Sequence, residues 1–161
     1  MSQFLNVSEA PRFDEAITKI VYHTYSPFVE TYNPNDTIRI CIHGENSALL
    51  PSQSFIYIEG TLRNEQGVPD PDVFLSNNCV AFMFYEIRYE LNGVDIDYSR
   101  NVGITTSIKN YISLTPNESL SNINAGWSLK NNMTLNVFNG HFNFCVPLHM
   151  LLGFAEDYQK R

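Results

Sequence analysis

The stretch YEIRYELNGVDIDY, from Tyr85 to Tyr98, decides the fold. Tyr85, Ile87, Tyr89 and Leu91 alternate with Glu86, Arg88 and Glu90. After Asn92-Gly93 the alternation resumes, with Val94, Ile96 and Tyr98 set against Asp95, Asp97 and Ser99. Side chains on a strand point to opposite faces in turn, so a period of two gives each strand one apolar and one polar face. A two-residue type I′ turn needs φ > 0 at both central positions, and Asn92-Gly93 meets that at the least steric cost. The turn sets the register. Leu91 should face Val94, Tyr89 face Ile96 and Ile87 face Tyr98 on the buried side. On the outer side Arg88 should face Asp97, and Glu90 should face Asp95.

Other segments repeat the strand signal. Thr37 to His43 (TIRICIH) alternates Ile38, Ile40 and Ile42 with Arg39 and Cys41. Ser54 to Leu62 (SFIYIEGTL) is a second such strand, with Gly60 a candidate bulge. Ile17 to Tyr25 leans towards strand, and Val80 to Leu91 reads as the first arm of the hairpin. Met133 to Phe138 and His141 to Val146 flank Asn139-Gly140, a second hairpin turn, and Pro147 stops the last strand. Helical texture interrupts this pattern. Ile104, Ile108, Tyr111 and Ile112 recur at the spacing of one helix face, so 103–112 reads as a helix that buries Ile104, Ile108 and Ile112. Thr115 caps a short turn with Pro116 at its first position. Leu148 to Tyr158 reads as a helix with Leu151, Leu152 and Ala155 inside. The expected fold is therefore all-β, mainly antiparallel: a jelly-roll-like β-sandwich with a short helical insertion. Residues 1–14 read as a flexible arm and 15–161 as one domain.

Composition narrows the function. The chain has 161 residues, a net charge of -7 and 17% charged residues, below the roughly 25% usual for globular chains. Nine tyrosines and eleven phenylalanines suit strands and surfaces covered by partners. An acidic chain with no basic run lacks the lysines and arginines that replace phosphate counterions, which excludes specific nucleic-acid binding. No apolar run reaches membrane-spanning length, and the N-terminal residues, with Glu9, Arg12, Asp14, Glu15 and Lys19, lack the apolar core of a signal peptide. The three cysteines, Cys41, Cys79 and Cys145, are odd in number and far apart. They are expected to be free, mostly buried thiols in a reducing compartment. The sequons at Asn6, Asn35, Asn117 and Asn132 then carry no glycan.

Catalytic chemistry is hard to find. Cys41 with His43, and His141 with Cys145, share strand faces, and four such ligands could hold zinc only if their strands converged. Glu90, Asp95 and Asp97 crowd one hairpin tip, but calcium needs about six or more converging oxygens. Both sets read better as ordinary strand and surface residues, so no metal site and no cofactor is assigned. No nucleophile elbow, phosphate loop or dinucleotide fingerprint is present. The chain is expected not to be an enzyme.

The block FMFYEIRYELNGVDIDYSRNVGITTSIKNYISL, Phe82 to Leu114, resembles the double jelly-roll major capsid proteins of the Polinton and adintovirus-like lineage. Residues Glu86 to Asp97, Arg100-Asn101 and Gly103 to Leu114 carry the resemblance, as do VPLHMLLGFAEDY (Val146 to Tyr158) and LLPSQSFIYIEGTL (Leu49 to Leu62). It covers the front part of a family whose members carry two jelly rolls. The resemblance implies a structural virion protein that self-associates, as a trimer or larger, with itself or with a second jelly-roll protein. Its place would be the virion, or the host cytoplasm or nucleus before assembly. The contact elements it implies are the 103–112 helix, the loop to Trp127 and the segment 148–154. The interface residues are then Ile104, Ile108, Tyr111, Trp127, Leu148, Leu151 and Phe154. A front part alone leaves a sheet edge in need of a partner. The alternative is a jelly-roll binding module of lectin-like or other interaction type. A cupin-type enzyme ranks third, because it needs a metal-ligand cluster that the sequence does not display.

Overall fold

The computed structural model describes residues 19–29, 31–44, 48–69, 75–129, 137–138 and 140–157. The chain divides into two compact units, Met1–Ser47 and Ala48–Arg161.

In the first unit one turn is well tied. The amide of Asp36 donates to the Asn33 carbonyl at 3.1 Å, the Asp36 carboxylate accepts from the Asn33 amide at 2.8 Å, and Asn35 sits at φ 73°. No helix or strand occurs among its described residues, and none of them is buried. This corrects the expected strand over Thr37 to His43 and the strand-leaning reading of Ile17 to Tyr25 where it is described. The alternation supplies an apolar face, but a strand also needs a neighbour to take its backbone hydrogen bonds. Ile38, Ile40 and Ile42 are accordingly 44%, 42% and 46% exposed. The arm of residues 1–14 lies outside the described residues.

The second unit holds two antiparallel sheets. β1 (Phe55–Thr61), β5 (His141–Pro147) and β4 (Val137–Phe138) form a three-stranded sheet in the order β1-β5-β4. β1 and β5 pair without a break from Phe55 opposite Pro147 to Thr61 opposite His141. One face of that pair carries Ile56, Ile58, Phe142, Phe144 and Val146 against the core. The expected bulge at Gly60 is absent. Gly60 stands opposite Phe142, and a Cβ there would lie 2.6 Å from the tip of that ring, so the glycine makes room for an aromatic cover. Phe138 pairs with His141, with Gly140 at φ 77°, as the second hairpin signal predicts; Met133 to Asn136 and Asn139 lie outside the described residues.

β2 (Glu86–Leu91) and β3 (Val94–Arg100) form the hairpin. Asn92 and Gly93 take φ 52° and 79°, as a type I′ turn requires. Leu91 faces Val94 and Glu90 faces Asp95, as expected. A bulge then skips Ile96, so that Tyr89 faces Asp97, Arg88 faces Tyr98 and Ile87 faces Ser99. A one-residue slip exchanges the two faces of a strand. Asp97 and Ser99 therefore turn inward, and Tyr98 turns outward onto the arginines.

Helices are more prominent than expected, and the all-β expectation gives way to an antiparallel β unit with substantial helix. Val80 to Tyr85 is not strand: α1 spans Cys79–Phe82 and starts from Asn78 at φ 60°, and the first arm of the hairpin begins at Glu86. α2 (Val102–Ser113) is twelve residues long, longer than any strand. α3 (Pro116–Ser121) opens with the expected cap: the Thr115 hydroxyl accepts from the Glu118 amide, and Glu118 reaches back to the Thr115 amide at 2.8 Å. The expected helix after Pro147 is two short ones, α4 (Leu148–Leu151) and α5 (Gly153–Asp157), broken at Leu152, whose backbone is extended. Leu151, Leu152 and Ala155 are buried as expected. The core gathers Val80, Val102, Trp127, Phe144, Val146, Met150 and Leu151. Each large side chain enclosed there contributes about 1.5–3 kcal/mol of transfer free energy.

Candidate assembly surface

α2 buries Val102 together with its small and polar residues and exposes its isoleucines. Val102, Thr106 and Asn110 are 0%, 2% and 1% exposed, whereas Ile104, Ile108 and Ile112 are 57%, 57% and 81% exposed. This reverses the expected burial of the three isoleucines. The cause is a polar hub at Asn78. Its left-handed backbone starts α1, and its amide donates to the Gly126 carbonyl at 2.7 Å. Its side-chain nitrogen lies 2.8 Å from the Thr106 and Ser107 hydroxyls and 3.2 Å from the Gly103 carbonyl. Thr106 passes the chain on by donating to the Val102 carbonyl at 2.7 Å. Gly103 takes the face of the Phe82 ring directly against its Cα, where any side chain would collide. Buried polar groups of this kind are tolerated only when partnered, and here the partners dictate which face of α2 turns inward.

Further ties hold that orientation. Lys109 donates to the His149 carbonyl at 2.7 Å and pairs with Glu156 at 2.6 Å, linking α2 to α4 and α5. Asn101, at φ 49°, donates its amide to the Tyr85 carbonyl at 2.7 Å and launches α2 from the end of β3. The result is a rigid helix with Ile104, Ile108 and Ile112 in a row at its outer face.

The expected interface residues fall into three groups. Ile104, Ile108 and Tyr111 are exposed on α2. Leu148 and Phe154 are half-buried, with the Phe154 ring stacked on Tyr89 at 5.3 Å. Trp127 and Leu151 are enclosed, at 0% and 4% exposure. Trp127 donates through Nε1 to Ser119 at 3.3 Å and meets Tyr111 edge-on at 4.8 Å. Trp127 thus supports the exposed Tyr111 from behind. The sequence reading missed Asn78. The signal available was an asparagine just before a helix, a residue type that tolerates the left-handed region.

Tyr98 lies under Arg88 and Arg100, at 5.4 and 5.3 Å from its ring centre. Both arginines also bond Glu86. The hydrogen bond from Arg88, with that from Arg100, holds the Glu86 carboxyl below the usual range against a smaller opposing desolvation. Cys79 is buried, Cys41 half-buried and Cys145 exposed, all three free, so the expectation of mostly buried thiols holds for Cys79. Burial pushes the Cys79 thiol up. Among the described residues no three His, Cys, Asp or Glu side chains gather as metal ligands. His141 is 3.0 Å from the Thr61 hydroxyl, and Cys145 stands opposite Tyr57. Asp97 of the hairpin tip accepts from the Phe154 amide. Among the described residues no helix is long and apolar enough to cross a membrane.

An antiparallel β unit braced by helices, with a fixed apolar row on its longest helix, is the class of protein these elements define. The family model for the double jelly roll-like domain matches residues 73–161, more than half of the chain, and the chain belongs to that family. Comparison with curated proteins and with solved structures gives no match.

Proposed function

We propose that the chain is a structural, capsid-type subunit that works by self-association, in the manner of the Polinton and adintovirus-like major capsid proteins. The observation that carries this reading is the match to the double jelly roll-like family over 73–161, a domain typical of capsid-type folds. The apolar row of α2 supports it. Ile104, Ile108 and Ile112 are held outward by buried polar links, and exposed apolar rows of this kind mark interfaces. In this reading the partner is a second copy or another jelly-roll chain, and the assembly is a trimer or larger. The protein resides in a virion or, before assembly, in the host cell. Its sheets close into a jelly-roll sandwich within the assembly. It is not an enzyme and needs no cofactor, nucleic acid or membrane.

Light scattering on the full chain over a wide concentration range tests the proposal. Mass rising to a trimer or beyond is the expected result. A monomer at every concentration overturns it.

A further inference from the structure

The tip of the β2–β3 hairpin sets a labile side chain beside an unshielded backbone nitrogen. Asn92 and Gly93 are both exposed. The Asn92 side chain forms no hydrogen bond among the described residues. The ladder closes at Leu91 opposite Val94, so the Gly93 nitrogen lies beyond it. A Cβ built on Gly93 would meet nothing within 4 Å, so the approach to this nitrogen is open. Every other asparagine among the described residues precedes a residue that carries a side chain, such as Glu65, Cys79 or Val102. Only glycine leaves the nitrogen uncovered. Asn139-Gly140 is the same dipeptide, but Gly140 is buried and its carbonyl accepts from the Leu62 amide at 2.7 Å, so the second hairpin serves as an internal comparison.

We infer that Asn92 is a site of spontaneous covalent modification, at which water converts the side-chain amide to an acid through a ring closed with Gly93. Asparagine is among the thermally labile residues, and this one has its reaction partner next to it. The Gly93 nitrogen gives its proton to solvent and attacks the Asn92 Cγ. The N–Cγ bond forms and the Cγ–Nδ2 bond breaks. Nδ2 leaves with the bonding pair, takes a proton from solvent and departs as ammonia. The cyclic imide then adds one water. Opening at the side-chain carbonyl gives aspartate. Opening at the main-chain carbonyl gives isoaspartate, whose backbone runs through Cβ and Cγ. One amide and one water become one acid and one ammonia, and nothing is oxidised or reduced. The two products fare differently in the turn. Aspartate suits the same loop, because Asp-Gly tolerates φ > 0 as Asn-Gly does. It adds a negative charge beside Glu90 and Asp95, which already face each other. Arg88 reaches Asp95 at 3.4 Å and offsets part of that repulsion. Isoaspartate instead lengthens the backbone of a two-residue loop, and that loop sets the register. The closure of Leu91 on Val94 is then lost.

Peptide mapping of the full chain, held folded at mildly alkaline pH and sampled over days, tests this. Asn92 should convert before every other asparagine, Asn139 included, and both acids should appear. Isoaspartate is counted by methyl transfer from S-adenosylmethionine, with isoaspartyl methyltransferase as the probe. Asn92→Gly removes the amide and keeps a turn of the same type, so it should lose that methyl acceptance and keep the hairpin. Amide exchange at residues 89–96 should quicken in aged wild type. It should stay slow in aged Asn92→Gly and in fresh Asn92→Asp. A folded chain that stays intact while the denatured chain converts overturns the inference, because the turn then shields the amide. Earlier conversion at Asn139 or at any other asparagine also overturns it. Methyl acceptance in Asn92→Gly equal to that of wild type places the reaction elsewhere and overturns it too. Conversion of Asn92 to isoaspartate without faster exchange at 89–96 overturns the loss of the Leu91–Val94 closure.

Discussion

The Asp97 carboxylate accepts a hydrogen bond from the backbone amide of Phe154 at 2.8 Å. A residue expected on the outer face of a hairpin thus holds the start of α5. The bulge at Ile96 makes this possible by turning Asp97 inward, opposite Tyr89. Tyr89 in turn stacks on the Phe154 ring, so one bulge fixes two contacts with the same residue. Bulges re-aim side chains, and here the aim is a helix N-terminus whose amides have no intrahelical partner.

Asp97→Ala should therefore destabilise the second unit by about 1 kcal/mol, the usual cost of losing a helix N-terminal cap. Chemical denaturation measures it. An unchanged midpoint would mean that water replaces the carboxylate without loss. Asp97→Asn keeps an acceptor oxygen and should recover most of the difference.

Asn78→Ala should cost more, about 2–3 kcal/mol. It removes a buried side chain that bonds Thr106 and Ser107, and it puts a Cβ-only residue at φ 60°. Thr106 then loses an incoming donor and keeps its own hydrogen bond to the Val102 carbonyl. A thermal melt within a degree of wild type would show that the hub is dispensable.

What could be read from the sequence was local. The Asn92-Gly93 turn and the Thr115 cap depend on neighbours within a few residues and appear as expected, and the alternation over 55–61 marks a strand that finds its partner in β5. The bulge was not legible, because it depends on Asp97 meeting Phe154, 57 residues further on. The existence of α2 was legible from its period, but its orientation was not. Ile104, Ile108 and Ile112 form the apolar stripe, yet Asn78, 28 residues before Thr106, turns the polar stripe inward. At Thr37 to His43 the pattern shows one half of a ladder, and no pattern within a segment names its partner. Of the candidate interface, Ile104, Ile108 and Tyr111 lie at the surface, while Trp127 and Leu151 went into the core that supports it. Size and apolarity suit a residue to either place.

The cysteines should differ in reactivity. Titration of the unfolded, unreduced chain should find three free thiols, as the structure holds no disulfide among them. In the folded protein Cys145, exposed on β5, should alkylate first. Cys79, buried and with its thiol pushed up from 9.0, should alkylate last. Mass spectrometry over a time course of iodoacetamide labelling reads the order. Equal rates at the two sites would mean that α1 opens easily.

Acid should loosen the fold in a defined window. Glu86 is held below 4.5 first by Arg88, and Glu118 is held below 4.5 first by the Thr115 hydroxyl. A carboxyl with a lowered folded pKa stabilises fully above its unfolded value. That contribution is lost as pH falls through the folded value. Denaturant midpoints should thus fall below about pH 4.5. Glu118→Gln keeps the cap geometry without a titrating group and should flatten part of that slope. The Glu86 share rests on ion pairs to arginines at the surface, so salt should weaken it more than the cap. A slope identical in wild type and Glu118→Gln would remove α3 from the account.

The outward row of α2 separates folding from assembly. Were Ile108 buried, as its spacing first implies, Ile108→Asp would bury an unpaired charge and cost several kcal/mol. It is 57% exposed, so the substitution should shift stability by only about 0.5 kcal/mol or less. The buried face of α2 carries Val102, Thr106 and Asn110 and is untouched by the change. If the apolar row is the contact surface, the same variant should lose association while it melts like wild type. Ile112→Asp, at 81% exposure, should do likewise, and the pair together should do no further harm to the monomer. Light scattering and thermal melts on the same samples give the two readings side by side. A variant that unfolds shows that α2 turns these residues inward after all. One that folds and still assembles moves the contact surface elsewhere on the chain.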